Sequence, residues 1–397
     1  MNVKEIVDLK VPELWKEFKR NFRDNWEEQE EALRELKKRL IERSLEADRH
    51  MLAMSKPYER TQTRADHRNG YYTRWILTRM GLLDIRVPRL RHKKLRSQVI
   101  GKYQRRAREI DEALKRIFLY GVSTRLAGEA IKPLLGEGVS AQTISNIAKG
   151  LDEEVRRYHR RQIADTYLYV FLDGIVLKAK TGIGAKKKVV LVAYGITVSG
   201  KREIIDFMVT SSESEAKWEG FLNSLYERGL KGEVLSLIVT DGNKGLHRAI
   251  DMVYPQVKRQ RCWAHKLRNV ANRLKKTQIN EGIRDARPIY DAENRKEAIV
   301  LYKKWAKKWK SSAPKAVKCL EDDLEELLNV YYCPKEIRIK LRTTNVIERA
   351  FREVRRRTRP MSCFNNVQSI ERIVYAVLSH QNYKWSNRPL KEFTQNS

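Results

Sequence analysis

Apolar residues between positions 167 and 211 fall into three short runs, the pattern of β-strands joined by turns. The runs are YLYVFLDGIVLKAK, KKVVLVAYGITVS and REIIDFMVTS. Turn residues separate them, with Gly182 and Gly184 after the first run and Ser199 and Gly200 after the second. Three consecutive strands with short turns predict an antiparallel meander.

After the meander, helical and strand patterns alternate. A helix is predicted over 215–230, a strand in VLSLIVTD, a second helix over 244–254 and a short strand over 257–262. The apolar positions of the first helix are Trp218, Phe221, Leu222 and Leu225. The resulting order, βββαβαβ, predicts an α/β, ribonuclease-H-like core with a mixed sheet, in which the ends of the first and fourth strands lie side by side.

The chain beyond the last predicted strand has helical periodicity and no strand pattern. We interpret 277–342 as an all-α insertion, and the catalytic core as 161–276 together with 343–397. A helix that begins at Thr344 and a last amphipathic helix over 367–385 belong to this core. We expect the last helix to pack on the sheet.

The N-terminal region separates into a helical part and a basic part. Residues 1–57 have helical spacing at Leu33, Leu36, Leu40 and Leu45 with near-balanced charge, which favours a packing or oligomerisation element. Residues 58–110 alternate apolar and basic positions around Gly81, which predicts a β-hairpin with a cationic face. Such a face could bind DNA, or it could be a solvated edge that discourages aggregation.

Residues 111–160 predict a helix-turn-helix DNA-binding domain. A helix over 123–135 ends at Gly136, and a second begins after Ser140, a good N-cap residue. The buried stripe of the second helix is predicted to be Ile144, Ile147 and Leu151. Its outward residues, of the types that read base edges, are Gln142, Thr143, Ser145 and Asn146. A plain helical hairpin would explain the same pattern without DNA contact.

Charge indicates the class of partner. Lysine and arginine number 82 against 50 aspartates and glutamates, a formal net charge of +32 at pH 7, which favours a nucleic acid. The most apolar stretch, 189–198, is far shorter than a ~20-residue membrane span, and the N-terminus has no apolar signal segment. The cysteines form no CxxC pair, which fits a reducing cytoplasm; they are Cys262, Cys319, Cys333 and Cys363. We therefore expect a cytoplasmic protein with no membrane partner.

Two aspartates are placed by their sequence context at the ends of apolar strands. Asp173 follows YVFL, Asp241 follows LSLIVT, and glycine comes directly after each. A strand fixes the position of a carboxylate, and glycine lets a DNA backbone approach it. Asp165 precedes its strand, Asp206 lies inside one, and neither precedes a glycine, so they are weaker candidates. The alternative is an ordinary turn, because Asp-Gly is a common turn dipeptide.

The third candidate acid is Glu348, in the basic helix TTNVIERAFREVRRRTR. It shares a helix face with arginines that can hold phosphates, whereas Glu353 on the same helix does not. The arginines expected to contact DNA are Arg349, Arg352, Arg355, Arg356 and Arg359. A surface helix held by ion pairs is the alternative.

Three carboxylates suit a site for two magnesium ions. Mg²⁺ binds through one or two carboxylates together with substrate phosphate and water. Two such ions ~3.5–4 Å apart can activate an attacking oxygen and stabilise a leaving oxygen across one phosphorus. We therefore expect Asp173, Asp241 and Glu348 to bind two Mg²⁺ ions, for which Mn²⁺ can substitute, in a polynucleotidyl transferase.

Cys262 and His265 in QRCWAHK have the spacing of half a zinc site, but no second half with tight spacing follows. We interpret them as active-site support, through packing or substrate positioning, rather than as zinc ligands. Trp263 between them could stack on an extruded base or fill the core.

With these residues assembled, the chain resembles bacterial insertion-sequence transposases of the Mutator-like superfamily, in the insertion-sequence 256 family. The resemblance extends from about residue 58 to residue 385 through RNGYYTR, VPRLR, LYGVSTR, FLDG, TDGNKGL, QRCWAHK and TTNVIERAFREVRRRTR. It implies a DDE transposase in which Asp173, Asp241 and Glu348 match the catalytic acids. The helical span before Glu348 matches the family's insertion domain.

An enzyme of this kind would bind the terminal inverted repeats of its own element, free a 3′-hydroxyl and join it to another phosphodiester. The resemblance also implies double-stranded DNA as transposon ends and target, a homodimer or higher assembly, and a circular intermediate. We expect no small-molecule substrate and a place in the bacterial cytoplasm with the nucleoid. Two other functions stay open, a metal-dependent structure-selective nuclease and a non-catalytic DNA-binding regulator.

Overall fold

The computed structural model describes residues 26–394, except 60, 98, 102, 121, 123, 137, 182–183, 360–363 and 365. Predictions that concern residues 1–25, Ser123, Gly182 and Cys363 lie outside the described residues. The chain divides into two compact units. The first contains the described residues up to Phe118 and those of Val122–Ala148, and the second contains the rest. The finer domain boundaries given above stay predictions.

The first unit is a β-hairpin with helices packed on both faces. Its elements are α1 (Trp26–Ala53), β1 (Arg68–Thr78), β2 (Gly81–Leu90), α2 (Arg108–Leu119), α3 (Thr124–Leu135) and α4 (Ala141–Lys149). The predicted hairpin is present, with Thr78 opposite Gly81, whose φ is +88°. Successive residues of a strand point to opposite faces. Accordingly, Ile76 shares a buried cluster with Leu45 of α1, and Leu77 shares another with α2, α3 and α4.

The two helices of the predicted helix-turn-helix are present as α3 and α4. Ser140 is the N-cap of α4, because its Oγ accepts a hydrogen bond from the Thr143 backbone N–H at 3.3 Å. Ile144 is fully buried, as predicted, whereas Ile147 is only half-buried against the same cluster. A Cβ atom at Gly128 of α3 would lie only 1.9 Å from the Val139 carbonyl oxygen. The turn can therefore pack this closely on α3 only with glycine at position 128.

The second of these helices is shorter than predicted. It ends at Lys149, and Leu151 begins a separate helix, α5 (Leu151–Arg160), in the second unit. Gly150 interrupts the helix, since glycine is less favourable than alanine in a helix interior by about 1 kcal/mol. Leu151 is buried, but it is not part of the stripe on α4.

The second unit is built on a five-stranded mixed sheet. Its strands and intervening helices are β3 (Tyr167–Thr181), β4 (Gly184–Thr197), β5 (Arg202–Thr210), α6 (Glu215–Glu227), β6 (Leu237–Thr240), α7 (Lys244–Val253) and β7 (Lys258–Arg261). The spatial order is β5-β4-β3-β6-β7. Strands β3, β4 and β5 form the antiparallel meander, and β6 and β7 run parallel to β3. The element order βββαβαβ is as predicted.

Helices cover both faces of this sheet. On one face, Trp218 of α6 and Ile250 of α7 share a buried cluster with Leu172 of β3. On the other face, Tyr194 of β4 packs against Trp385 of α15 (Val367–Ser386), with ring centroids 5.5 Å apart. The last long helix therefore packs on the sheet, as expected.

Residues 263–341 contain helices and no strand. These are α8 (Trp263–Ala271), α9 (Ile279–Asp291), α10 (Arg295–Trp309), α11 (Pro314–Glu321), α12 (Leu324–Leu327) and α13 (Lys335–Leu341), with short 3-10 turns at Lys276–Gln278 and Asn329–Tyr332. Trp263 is buried and its Nε1 donates to the Leu327 carbonyl at 2.9 Å, so this indole fills the core. The remaining helices are α14 (Asn345–Thr358) and α16 (Lys391–Thr394). Within the described ranges, no helix is long and apolar enough to cross a membrane.

Candidate active site

Asp173 and Asp241 occupy equivalent positions on adjacent parallel strands. The register between β3 and β6 ends with Leu172 opposite Thr240, and the two aspartates are the next residues. Neighbouring strands lie ~4.8 Å apart, so the sheet brings the two residues side by side. One expectation is corrected. Asp173 is not at the end of its strand, because pairing with β4 continues β3 to Thr181.

Asp241 is held in the turn that leads from β6 into α7. Its Oδ1 accepts a hydrogen bond from the Asn243 backbone N–H at 3.0 Å. Asn243 in turn caps α7, since its Oδ1 accepts from the N–H groups of Gly245 and Leu246 at 2.8 and 3.2 Å. Gly242 adopts a φ of +97° in this turn. The Asp241 carboxylate is therefore fixed near a helix N-terminus, where negative charge is favoured.

The electrostatics of Asp173 show that the three candidate acids interact. Burial raises the pKa of Asp173 to about 7, and the negative charges of Asp241 and Glu348 add to the rise. The Gly174 N–H, 2.7 Å from Oδ1, and His265 act in the opposite direction. Charges perturb each other in this way when they are close together in a poorly hydrated region. Asp241 and Glu348 therefore lie within electrostatic range of Asp173.

Glu348 lies in the first turn of α14, beside His265. Its Oε1 atom is 3.5 Å from His265 Nε2. The Glu348 side chain is about one-third exposed, at 34%, so a substrate can reach the carboxylate. Glu348 is thus accessible to solvent, whereas Asp173 is buried.

Cys262 and His265 fasten the start of α14 to the start of α8. The Thr344 backbone N–H donates to Cys262 Sγ at 3.3 Å, and Thr344 Oγ1 lies 3.5 Å from His265 Nδ1. The hydrogen bond with Cys262 raises the pKa of His265 to about 9, against the effect of burial. This arrangement is suited to the supporting role assigned to Cys262 and His265, which stays a prediction.

The donor set fits hard divalent cations. In the part of the chain that the structure describes, no three His, Cys, Asp or Glu side chains are grouped closely enough to hold one ion. Even so, Asp173 is only 6% exposed and is bordered by two further negative charges. Burying like charges together is unfavourable unless a cation compensates them. Carboxylate oxygens are the ligands that Mg²⁺ prefers.

A fourth carboxylate, Glu213, lies at this site and was missed by the sequence reasoning. A Cβ atom at Gly174 would be 3.0 Å from Glu213 Oε1. Burial raises the pKa of Glu213, and the charge of Asp241 raises it further. The available signal was topological. In a meander the third strand runs in the same direction as the first, so the residues after β5 come to the edge that carries Asp241.

The weaker candidate acids have structural partners instead. Asp165 accepts hydrogen bonds from the N–H groups of Gly232 and Glu233 at 3.0 and 2.9 Å, which fixes a turn. Asp206 is buried, lies 2.7 Å from His159 Nδ1 and pairs with Arg228. These contacts account for both residues without a catalytic role.

The basic face of α14 is exposed. Side chains in contact with solvent are Arg349, Arg352, Arg355, Arg356 and Arg359. Glu353 pairs with Arg356 and Arg357 at 3.1 and 3.0 Å, so that acid is occupied by an ion pair. Contact of the exposed arginines with DNA stays a prediction.

The polar residues of α4 in the first unit are at its surface. Gln142 and Asn146 are exposed, Thr143 and Ser145 are half-buried, and Gln142 Nε2 donates to Asn146 Oδ1 at 3.2 Å. Their base-reading role stays a prediction.

The sequence matches the model of the family described as Transposase, Mutator family, over residues 13–388. The chain therefore belongs to the Mutator family of transposases, which confirms the resemblance. The transposase for insertion sequence element IS406 of Burkholderia multivorans is 36% identical over 349 residues, 87% of this chain and 89% of the relative. The transposase for IS256 in transposon Tn4001 of Staphylococcus aureus is 33% identical over 346 residues, 86% and 87% of the two chains.

Among solved structures, the Mos1 transposase paired-end complex with left transposon end matches with 12% identity. The match covers 59% of this chain and 82% of that chain, with a TM-score of 0.18. A score this low supports no argument about the fold.

Proposed function

We propose that this protein is a DNA transposase that cleaves and joins strands at the ends of its own insertion sequence, with Asp173, Asp241 and Glu348 as metal-binding acids. The observation that carries the proposal is the placement of Asp173 and Asp241 directly after one register pair of parallel strands, within the electrostatic range of Glu348. The membership in the Mutator transposase family supports it. The element order βββαβαβ supports a ribonuclease-H-like catalytic core.

Each residue of the site has its own proposed role. Asp173 and Asp241, fixed by the sheet and by the α7 turn, would hold two Mg²⁺ or Mn²⁺ ions together with Glu348. Bound Mg²⁺ activates an attacking oxygen and stabilises a leaving oxygen. Gly174 and Gly242 follow the aspartates, and their missing side chains leave room for the side chains of Glu213 and Arg261, respectively.

DNA double helices are the proposed substrates, as transposon ends and as target. The exposed arginines of α14 can hold phosphates near the acids, and bidentate arginine contacts suit that role. The helix α4 is the proposed reader of the terminal repeats, through its short polar side chains. A homodimer or higher assembly would hold two ends at once, and the bacterial cytoplasm, with the nucleoid, is the proposed location.

The test is a joining assay with labelled DNA taken from the sequences that flank the gene, where the terminal inverted repeats are expected. We expect Mg²⁺-dependent release of a 3′-hydroxyl and its joining to a second DNA. The variants Asp173→Asn, Asp241→Asn and Glu348→Gln should each lower cleavage at least about 10²-fold, the loss typical of removing one electrostatic stabiliser. End binding in EDTA should be unchanged.

Other outcomes would identify the alternatives. Cleavage without joining would indicate a nuclease, and binding without either reaction would indicate a regulator. Full cleavage by any one of the three variants would remove that residue from the catalytic set.

A further inference from the structure

Five lysines lie on a two-stranded arm that extends from the sheet beyond Asp173. Pairing of β3 with β6 ends at Leu172, and pairing of β4 with β5 ends at Val189. Beyond these points β3 and β4 continue to pair with each other. We name residues 177–181 and 184–188 the β3–β4 arm. Its lysines are Lys178, Lys180, Lys186, Lys187 and Lys188, and these residues include no acid.

The charges of the β3–β4 arm are uncompensated. Within the described ranges, none of its lysines forms an ion pair with a carboxylate. Four are exposed and Lys188 is half-buried. Lys178 lies directly opposite Lys187 in the ladder, and like charges in that position destabilise a sheet. A polyanion bound to the arm would remove this repulsion.

Hydrogen bonds to Phe364 hold the β3–β4 arm against the rest of the second unit. The Phe364 N–H donates to the Lys178 carbonyl at 3.0 Å, and the Lys180 N–H donates to the Phe364 carbonyl at 2.6 Å. Leu177 and Ala179, which alternate with these lysines, are buried. A two-stranded ribbon alone is marginally stable in water, so the extra pairing keeps the lysines in place relative to Asp173.

We propose that the β3–β4 arm binds the phosphate backbone of double-helical DNA outside the scissile phosphate. The inference rests on the proposed function, because the acids define where the scissile phosphate lies. Lys178 is five residues beyond Asp173 on one strand, which is ~17 Å of extended chain. That distance corresponds to about five base pairs of duplex. The odd offset turns Lys178 to the opposite face from Asp173, whereas Lys186 and Lys188 of β4 share the face of Asp173.

Lysine side chains are suited to binding DNA whose sequence varies. Phosphate contacts position a protein without reading bases, and the lysine ammonium is a point charge on a flexible stem. Transposon ends have a fixed sequence, whereas the flanking DNA and the target differ at every insertion. Contacts outside the scissile phosphate must therefore be independent of sequence, and the arm supplies such contacts.

The test measures how DNA affinity depends on salt, in EDTA, where no reaction takes place. The variant K178Q/K180Q/K186Q/K187Q/K188Q is compared with the wild type on ends that carry flanking DNA. Each lost phosphate contact reduces the slope of log K against log salt by about 0.9. We expect a reduction of about 1.8 or more, because either face of the ribbon carries at least two lysines, Lys186 and Lys188 on the face of Asp173 and Lys178, Lys180 and Lys187 on the other.

A matched control separates local contact from total charge. The variant K296Q/K303Q/K304Q/K307Q/K310Q removes the same charge from exposed positions on and beside α10. We expect its slope to stay near that of the wild type. The variant with arginine at the five arm positions keeps the charge and should restore the wild-type slope.

Three DNA substrates distinguish the source of the phosphates. Ends cut back to the scissile phosphate should show no effect of the arm substitutions. A smaller salt slope of the arm variant seen only with flanked ends assigns the arm to flanking DNA. A smaller slope for a second duplex, bound by the complex of protein and cut ends, assigns the arm to target DNA. The proposal is overturned if the slope falls equally on cut-back ends, if it falls equally in the control variant, or if it falls on no substrate. Because binding needs no catalysis, inactivity of the wild type would count against the proposed function alone.

Discussion

The backbone N–H of Thr344 donates a hydrogen bond to Cys262 Sγ at 3.3 Å, which joins the residue before α14 to the residue before α8. Both residues are buried. The Thr344 carbonyl in turn accepts a hydrogen bond from the Glu348 N–H at 3.1 Å, one helical turn further on. The sulfur atom thus helps to fix where the third acid stands.

Replacement of Cys262 should therefore weaken metal binding as well as stability. Cys262→Ala leaves the buried Thr344 N–H without an acceptor, which costs about 1–3 kcal/mol. We expect a lower melting temperature and a higher Mg²⁺ concentration for half-maximal cleavage, with partial recovery of the rate at high Mg²⁺. Cys262→Ser retains an acceptor and should stay closer to the wild type. A lower melting temperature with unchanged Mg²⁺ dependence would assign Cys262 to packing alone.

Glu213 should contribute to metal binding. Its carboxylate is adjacent to Gly174, and the charge of Asp241 raises its pKa. The negative charge of Glu213 should therefore add to the attraction of the site for divalent cations. Glu213→Gln keeps the size of the side chain, and we expect a several-fold rise in the Mg²⁺ concentration for half-maximal cleavage.

Glu215→Gln is the control for that substitution, because Glu215 is half-exposed and pairs with Arg248 at 3.1 Å. We expect its Mg²⁺ dependence to match the wild type. Equal behaviour of the two variants would exclude a specific role for Glu213.

The sequence predicts the sheet well because its strands are short apolar runs bounded by turn residues. The sequence is less informative about how far two neighbouring strands continue to pair, which decides where each strand ends. Asp173 reads as a strand end because a glycine follows it, yet β4 extends the ladder to Thr181. Glu213 carries no local signal, since its proximity to Gly174 follows from the direction of β5 in the folded sheet. The helix break at Gly150, by contrast, has a local signal in the sequence, because glycine is unfavourable inside a helix.

Asp206 is expected to be essential for stability rather than for chemistry. It is buried against His159 and Arg228, and Oδ1 also accepts the Phe207 N–H at 2.8 Å. Asp206→Asn leaves Arg228 with an uncompensated charge, which typically costs about 3–5 kcal/mol. We expect a clear fall in the melting temperature of the second unit.

Asp251→Asn is a suitable comparison, because Asp251 is an exposed partner of Arg259. Removing an exposed ion pair costs about 0–1 kcal/mol, so its melting temperature should change little. A small change in melting temperature for Asp206→Asn would show that solvent compensates the charge of Arg228.

Gly128 should be required for the first unit to fold correctly. An alanine Cβ at this position would lie 1.9 Å from the Val139 carbonyl oxygen, so α3 and the turn before α4 would have to move apart. Overpacking of this kind costs about 1–3 kcal/mol. We expect Gly128→Ala to lower the melting temperature of the first unit and to weaken binding to terminal-repeat DNA.

Gly220 of α6 offers the matched control, because a Cβ there would have no heavy atom within 4 Å. Gly220→Ala should stabilise the second unit by about 0.5–1 kcal/mol through helix propensity and leave DNA binding unchanged. Wild-type stability and end binding in Gly128→Ala would show that the two segments need not pack this closely.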